Sequence, residues 1–202
     1  MENVMKQVEG GVCAAKGFSA NGLNCGLNPN KEKNDLALIY SEKMCNAAAV
    51  YTTNKVKGAP ILVTKKNLAA SGNHAQAVIA NSKNANTCNA DGEEKAAKMC
   101  ALAAEQLGIS ADNMIVASTG VIGQVLPIEP IETHIEQLAK GLAPEHHDRA
   151  ANAIMTTDTF PKEYAVTFTA GGKKCTIGGM AKGSGMIHPN MATTLNFVTT
   201  DA

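Results

Sequence analysis

The sequence predicts an α/β fold with helices packed outside stacked sheets. Three observations point there. Short apolar runs of strand length recur along the chain, at residues 36–40, 47–52, 59–64, 76–80 and 114–118. Other segments carry helical spacing and many alanines, small enough to lie close against a flat sheet. Near the end, two weakly alternating segments, 164–169 and 174–177, are joined by Ala170-Gly171-Gly172, a hairpin signal.

The elements follow in order. The opening, 10–27, is rich in Gly and Asn, and Gly17-Phe18-Ser19-Ala20-Asn21-Gly22 reads as a strand end and turn. Residues 36–40 and 47–52 read as strands, with 41–46 as the turn or loop between them. The run 59–64 is a third strand candidate, with Pro60 at its entry, where a missing N–H is tolerated. Residues 76–80 form a short strand that runs into Asn81-Ser82-Lys83-Asn84-Ala85-Asn86. Those amides either satisfy backbone groups in turns or line a polar cleft.

Asp91-Gly92-Glu93-Glu94 opens the first clear helix, since acidic residues suit the positive end of the helix dipole. Ala96, Cys100, Ala103 and Leu107 repeat at helical spacing, and Gly108 is a natural stop. Residues 114–118 form a strand that enters Thr119-Gly120-Val121-Ile122-Gly123. This is either an ordinary turn or one that exposes backbone N–H groups to an anion. It is not a P-loop, because the Gly-Lys-Ser/Thr ending is missing. Pro130 starts a second helix with Ile131, Ile135, Leu138 and Leu142 as one stripe. Pro144 opens a third, through about Met155. His146 and His147 are adjacent, point different ways and read as surface residues; His74 and His134 join no constellation. Thr156-Thr157-Asp158-Thr159 reads as a helix end with hydroxyl caps. Residues 191–200 read as a last strand.

Composition excludes several classes. A formal net charge of zero argues against nucleic acid or an anionic membrane held by bulk electrostatics. No apolar run is long enough to span a bilayer. Met1-Glu2-Asn3-Val4 lacks a basic-then-apolar pattern, so no secretory signal is expected. Aromatic residues are only 3%, so Ala, Val, Ile, Leu and Met must build the core. The six cysteines form no Cys-x-x-Cys pair, so zinc is not expected. Buried free thiols in a reducing cytoplasm fit them better than disulfides. There is no internal repeat, low-complexity tract or long linker.

The chemistry concentrates in Gly179-Met-Ala-Lys182-Gly-Ser-Gly185-Met-Ile-His188-Pro189-Asn-Met-Ala192-Thr193-Thr194-Leu195. A Thr hydroxyl is a poor nucleophile unless a base sits beside it. If the Ala192–Thr193 bond were cut, Thr193 would carry its own base, an α-amine of pKa about 7.7–8.0. Residue spacing alone leaves this open beside a plain loop feeding a strand.

A resemblance narrows the choice. This segment, with Gly-Phe-Ser-Ala-Asn-Gly-Leu (17–23), the Asn-rich run 81–86, Ser-Thr-Gly-Val-Ile-Gly (118–123) and Ile-Met-Thr-Thr-Asp-Thr (154–159), closely resembles the ornithine acetyltransferase family, the glutamate N-acetyltransferases of arginine biosynthesis. The resemblance implies an α/β fold with a layered αββα core, assembled from both products of a self-cleavage. It divides the chain into an alpha-chain region, 1–192, and the start of a beta-chain region, 193–202, cut between Ala192 and Thr193. It implies acetyl transfer from N²-acetylornithine to glutamate through an acetyl-Thr193 intermediate. Thr119 and Gly120 would form the oxyanion hole, and Thr156 and Lys182 would bind substrate. No metal or redox cofactor is called for, and acetyl-CoA is a second donor in bifunctional members. The implied partner is the beta chain of the same precursor, in an α₂β₂ heterotetramer in the cytoplasm.

Two departures stand out. Thr194 occupies the place where the family usually has Met. Family members also continue with a whole second chain, so this sequence resembles an N-terminal half plus the first residues of the next, inactive on its own. Two rival readings remain: a self-processing amidase or aminopeptidase with water as acceptor, and a fragment that only scaffolds a partner chain.

Overall fold

In the computed structural model the chain builds two four-stranded sheets, one drawn mainly from its first half and one mainly from its end. The structure describes residues 5–184 and 194–202. The elements are β1 (Lys6–Val8), β2 (Phe18–Leu23), β3 (Leu36–Asn46), α1 (Ala59–Ala70), β4 (His74–Asn81), α2 (Gly92–Leu107), β5 (Met114–Ser118), α3 (Glu129–Lys140), α4 (His147–Ala153), β6 (Lys162–Ala170), β7 (Lys173–Lys182) and β8 (Leu195–Thr200). The first sheet has the order β2-β3-β4-β5, with β4 and β5 parallel and the other pairs antiparallel. The second has the order β1-β6-β7-β8 and is antiparallel throughout.

Side-chain alternation sorts the first sheet into two faces. Leu36 and Leu38 of β3, Ile79 of β4 and Val116 of β5 pack against α1, α2 and α3, where Val63, Met99, Ala103, Ile131 and Leu138 complete the larger core. The intervening residues, Ala37, Ile39 and Ala80, face the other way. They meet Ala150, Ala151, Ala153 and Ile154 of the α4 region, Val12 and, from β7, Met180. So α4 lies between the two sheets, and its alanines are what permit so thin a layer. Gly22 makes the same allowance on the sheet side: a Cβ there would meet the Arg149 carbonyl oxygen at 2.1 Å.

The outer face of the second sheet carries no helix among the described residues. Tyr164, Ile177 and Val198 lie on it, and each is substantially exposed. The described layers are therefore α1–α3, the first sheet, the thin α4 layer and the second sheet.

Several expectations hold. Strands appear at 76–80 and 114–118, helices begin beside Asp91 and Pro130, and a two-residue Gly171-Gly172 turn joins β6 to β7. The last strand starts at Leu195; the expected positions 191–193 lie outside the described residues.

Others are corrected. The run 59–64 is the first half of α1, not a strand. Pro60 sits at a helix start, where proline is also favoured. Pro60, Val63, Thr64, Asn67 and Leu68 are buried at helical spacing, a period that six residues are too few to reveal. Of the strand end and turn expected at 17–22, the strand is realised and the turn is not: Phe18 to Leu23 is β2, paired with β3. Residues 41–46 continue β3 across a register shift between Tyr40 and Cys45. Residues 47–52 form no strand, because no sheet edge receives them, and Val50 is 83% exposed. The third helix begins with a 3₁₀ turn, Pro144–His146, and becomes α-helical only at His147. His146 and His147 are half-buried rather than superficial, and His147 Nδ1 lies 3.0 Å from the Glu163 carboxylate.

Candidate active site

The parallel strands β4 and β5 end side by side, and the chain turns immediately after each. After β4, the Asn-rich loop serves its own backbone. Asn81 Nδ2 donates to the Ser82 and Asn84 carbonyls at 3.0 and 2.9 Å, and Asn86 Nδ2 donates to the Gly92 carbonyl at 2.8 Å. Asn84 Nδ2 donates to the Gln124 and Val125 carbonyls at 3.1 and 3.2 Å, so the loop grips the segment that follows β5. Of the two readings of these amides, the backbone one is realised.

That grip shapes the Thr119-Gly120 turn. The Thr119 N–H donates to the Asn81 carbonyl, and the Val121 N–H donates to the Lys83 carbonyl, each at 3.0 Å. Between them the Gly120 N–H donates to no described residue. Gly120 has φ +136°, and an added Cβ would meet the Lys83 carbonyl carbon at 2.2 Å. Glycine is needed here for both conformation and space.

Lys182 ends β7 on the face turned toward the first sheet and is only 5% exposed. Its ammonium donates to Thr119 Oγ at 3.1 Å and to Thr156 Oγ at 2.9 Å. One cation thus joins the end of the first sheet, the end of the second, and the turn after α4. Three of the expected site side chains converge, and Gly120 adjoins them. Burial pulls the Lys182 ammonium below the usual lysine range; the Asp158 carboxylate opposes this and Lys162 adds to it.

Asp158 is the residue that sequence reasoning missed. Its side chain is buried, and Oδ1 accepts from Lys162 Nζ at 2.7 Å and from the Gly183 N–H at 2.9 Å. Burial alone would raise its carboxyl. The hydrogen bonds from Lys162, Gly183 and Thr156 outweigh that and hold it below the usual carboxylate range. The signal was present in Thr-Thr-Asp-Thr, but an acid at a helix end also reads as a cap.

Ala192 and Thr193 lie outside the described residues. What is described is the chain on either side. Gly183 is held by Asp158, and Leu195, two residues past Thr193, pairs with Lys182. Two of the cysteines are held as thiols and are poor rival nucleophiles. Burial pushes the Cys100 thiol up to about 12, and burial with the Glu163 and Glu145 carboxylates does the same to Cys13. No group of three or more potential metal ligands occurs among the described residues.

The two-sheet α/β fold, in which a buried lysine at the end of the second sheet links a hydroxyl at the end of the first sheet to one in the turn after α4, belongs to a fold class with solved members. The chain is similar to the crystal structure of an arginine biosynthesis bifunctional protein argJ from Bacillus halodurans, with TM-score 0.85 and 41% identity over 94% of this chain and 99% of that one. It is also similar to ornithine acetyltransferase complexed with ornithine from Mycobacterium tuberculosis, with TM-score 0.82 and 33% identity over 93% of this chain and 99% of that one. The sequence pattern of the ArgJ family matches residues 19–202, and the chain belongs to that family. The arginine biosynthesis bifunctional protein ArgJ of Symbiobacterium thermophilum is 52% identical over 200 residues, 98% of this chain and 49% of the relative. That of Listeria monocytogenes is 47% identical over 201 residues, again 98% and 49%. The chain spans about half the length of the curated relatives it matches.

Proposed function

We propose that this chain is the N-terminal half of a self-processing acetyltransferase of arginine biosynthesis. In the full protein it moves the acetyl group of N²-acetylornithine to glutamate, with acetyl-CoA as a second donor. The observation that carries this reading is the Lys182 ammonium shared between Thr119 and Thr156, beside a Gly120 N–H with no described acceptor. Because Thr119 Oγ accepts from Lys182, its own proton is left to donate. A hydroxyl and a backbone N–H side by side suit an oxyanion.

In the processing step Thr193 Oγ attacks the Ala192 carbonyl carbon, the C–N bond breaks, and water opens the resulting ester. Residues 1–192 are then the alpha chain, and Thr193 starts the beta chain with a free amine. In the transfer, Thr193 Oγ attacks the acetyl carbonyl while that amine takes its proton. Thr119 and Gly120 hold the oxyanion. Collapse expels ornithine, whose amine regains the proton, and leaves acetyl-Thr193. The glutamate amine then attacks the ester by the reverse sequence. Lys182 spends two of its three N–H bonds on threonines, which leaves one for a substrate carboxylate.

The partner in this reading is the beta chain of the same precursor, in an α₂β₂ assembly; the uncovered sheet face with Tyr164, Ile177 and Val198 supports a further layer. Localisation to the cytoplasm belongs to the same proposal, since buried thiols such as Cys25 and Cys100 suit a reducing compartment. The test is to express the full-length precursor and supply N²-acetylornithine and glutamate. Equal amounts of ornithine and N-acetylglutamate are expected. Free acetate without N-acetylglutamate would replace the transferase with an amidase.

A further inference from the structure

We propose that Asp158 is the positioning residue of this site, tying the strand end that carries Lys182 to the turn that carries Thr156. The inference rests on the proposed function for its kinetic readout only. Asp158 sits two residues beyond Thr156, where a local cap would serve, yet its strongest backbone contact is not local. Oδ1 accepts from the Gly183 N–H, 25 residues away, at 2.9 Å. Gly183 follows Lys182 directly, so this bond fixes the peptide at the end of β7. Oδ2 takes a longer contact, 3.4 Å, from the Thr156 N–H. The two backbone points on either side of the Lys182–Thr156 hydrogen bond are thus held by one carboxylate. Lys162, at the start of β6, pins Oδ1 from a third direction at 2.7 Å. The carboxylate side chain is 4% exposed, so this geometry is set by protein contacts rather than water.

The same carboxylate acts on the charge of Lys182. Thr119 and Thr156 face the ammonium as hydroxyls. Among the described residues, Asp158 and Lys162 are the charged groups that act on it. Burial disfavours the ammonium most, Asp158 favours it, and Lys162 disfavours it. Lys182 is charged below its midpoint and loses its proton as pH rises through it. Below that midpoint the ammonium donates to Thr119; above it that orientation weakens. Removing the Asp158 charge moves the midpoint down, so the alkaline limb of activity moves toward neutral pH.

The test uses the processed full-length protein with ¹³C-labelled lysine side chains, the Lys182 signal assigned with Lys182→Arg. Asp158→Asn should lower the Lys182 midpoint, shift the alkaline limb of kcat the same way, and cut kcat by roughly tenfold or more, as loss of alignment does, with KM less affected. Lys162→Met should move the midpoint up, since it removes the opposing charge and leaves the Gly183 tether. A folded Asp158→Asn protein with an unmoved midpoint and alkaline limb overturns the proposal. If Asp158→Asn does not fold, Asp158→Glu decides instead: it keeps the charge but displaces the carboxylate from Gly183, so a lowered kcat with little change in the midpoint is expected, and an unchanged kcat overturns the positioning role. A wild-type protein that forms no N-acetylglutamate would sink the proposed function, while the midpoints would still decide the role of Asp158.

Discussion

Thr119 Oγ takes a proton-donating contact from Lys182, so the threonine is an oriented donor rather than a free rotor. Thr119→Ala, made in the full-length protein, should therefore slow acetyl transfer by roughly 10²-fold or more, as loss of one oxyanion donor does. Wild-type turnover would reduce Thr119 to a turn residue. Gly120 fails differently. At φ +136°, with the Lys83 carbonyl and the Asn84 nitrogen within 2.6 Å of an added Cβ, Gly120→Ala meets backbone on one side and strain on the other. The turn must then move, and the Thr119 hydroxyl with it. We expect a loss of about 2–4 kcal/mol by urea unfolding together with loss of activity. An unchanged unfolding midpoint would mean that the turn has slack.

At the scale of elements, α1 does more than cover the sheet. β5 is the last strand in its order, so its outer backbone groups have no strand to pair with. Thr64 of α1 supplies both partners for Val116: its Oγ donates to the Val116 carbonyl at 2.9 Å and accepts from the Val116 N–H at 3.0 Å. Asn67, one turn on, donates to the Met114 carbonyl at 2.9 Å. The edge that carries Thr119 at its end is thereby closed. Thr64→Val keeps the shape but orphans two buried backbone groups, so it should cost about 2–4 kcal/mol in urea unfolding. A cost below about 0.5 kcal/mol would show that water replaces the hydroxyl there.

At the scale of the molecule, the second sheet has one face on α4 and another that no helix covers among the described residues. Val198 is 69% exposed and Tyr164 60%, side chains that a β-sheet surface ordinarily buries. If the second half of the precursor supplies the missing layer, Val198→Asp places a charge in that interface. The assembly should then dissociate on size-exclusion chromatography, while the chain keeps its own fold by circular dichroism. An intact assembly would show that this face stays open and that the halves meet elsewhere.

Local sequence determined the elements whose signals are local. α2 was legible from Glu93, Glu94 and the alanine spacing, α3 from Pro130 and its stripe, and the β6–β7 turn from Gly171-Gly172. The run 59–64 misled because β-branched and apolar residues suit a strand or a buried helix equally over six residues. The site residues Thr119, Gly120, Thr156 and Lys182 were named by resemblance, not by any rule of spacing. Their meeting is a tertiary event: Lys182 reaches Thr119 across 63 residues and Thr156 across 26. Residues 156–159 read in sequence give Asp158 no role, because its partner Gly183 is 25 residues away. Sequence alone determined the class of fold, the ends of α2 and α3 and the chemical types available. Only the tertiary structure decided that two sheets stack over α4 with their ends together, because pairing and burial join residues that no local propensity connects.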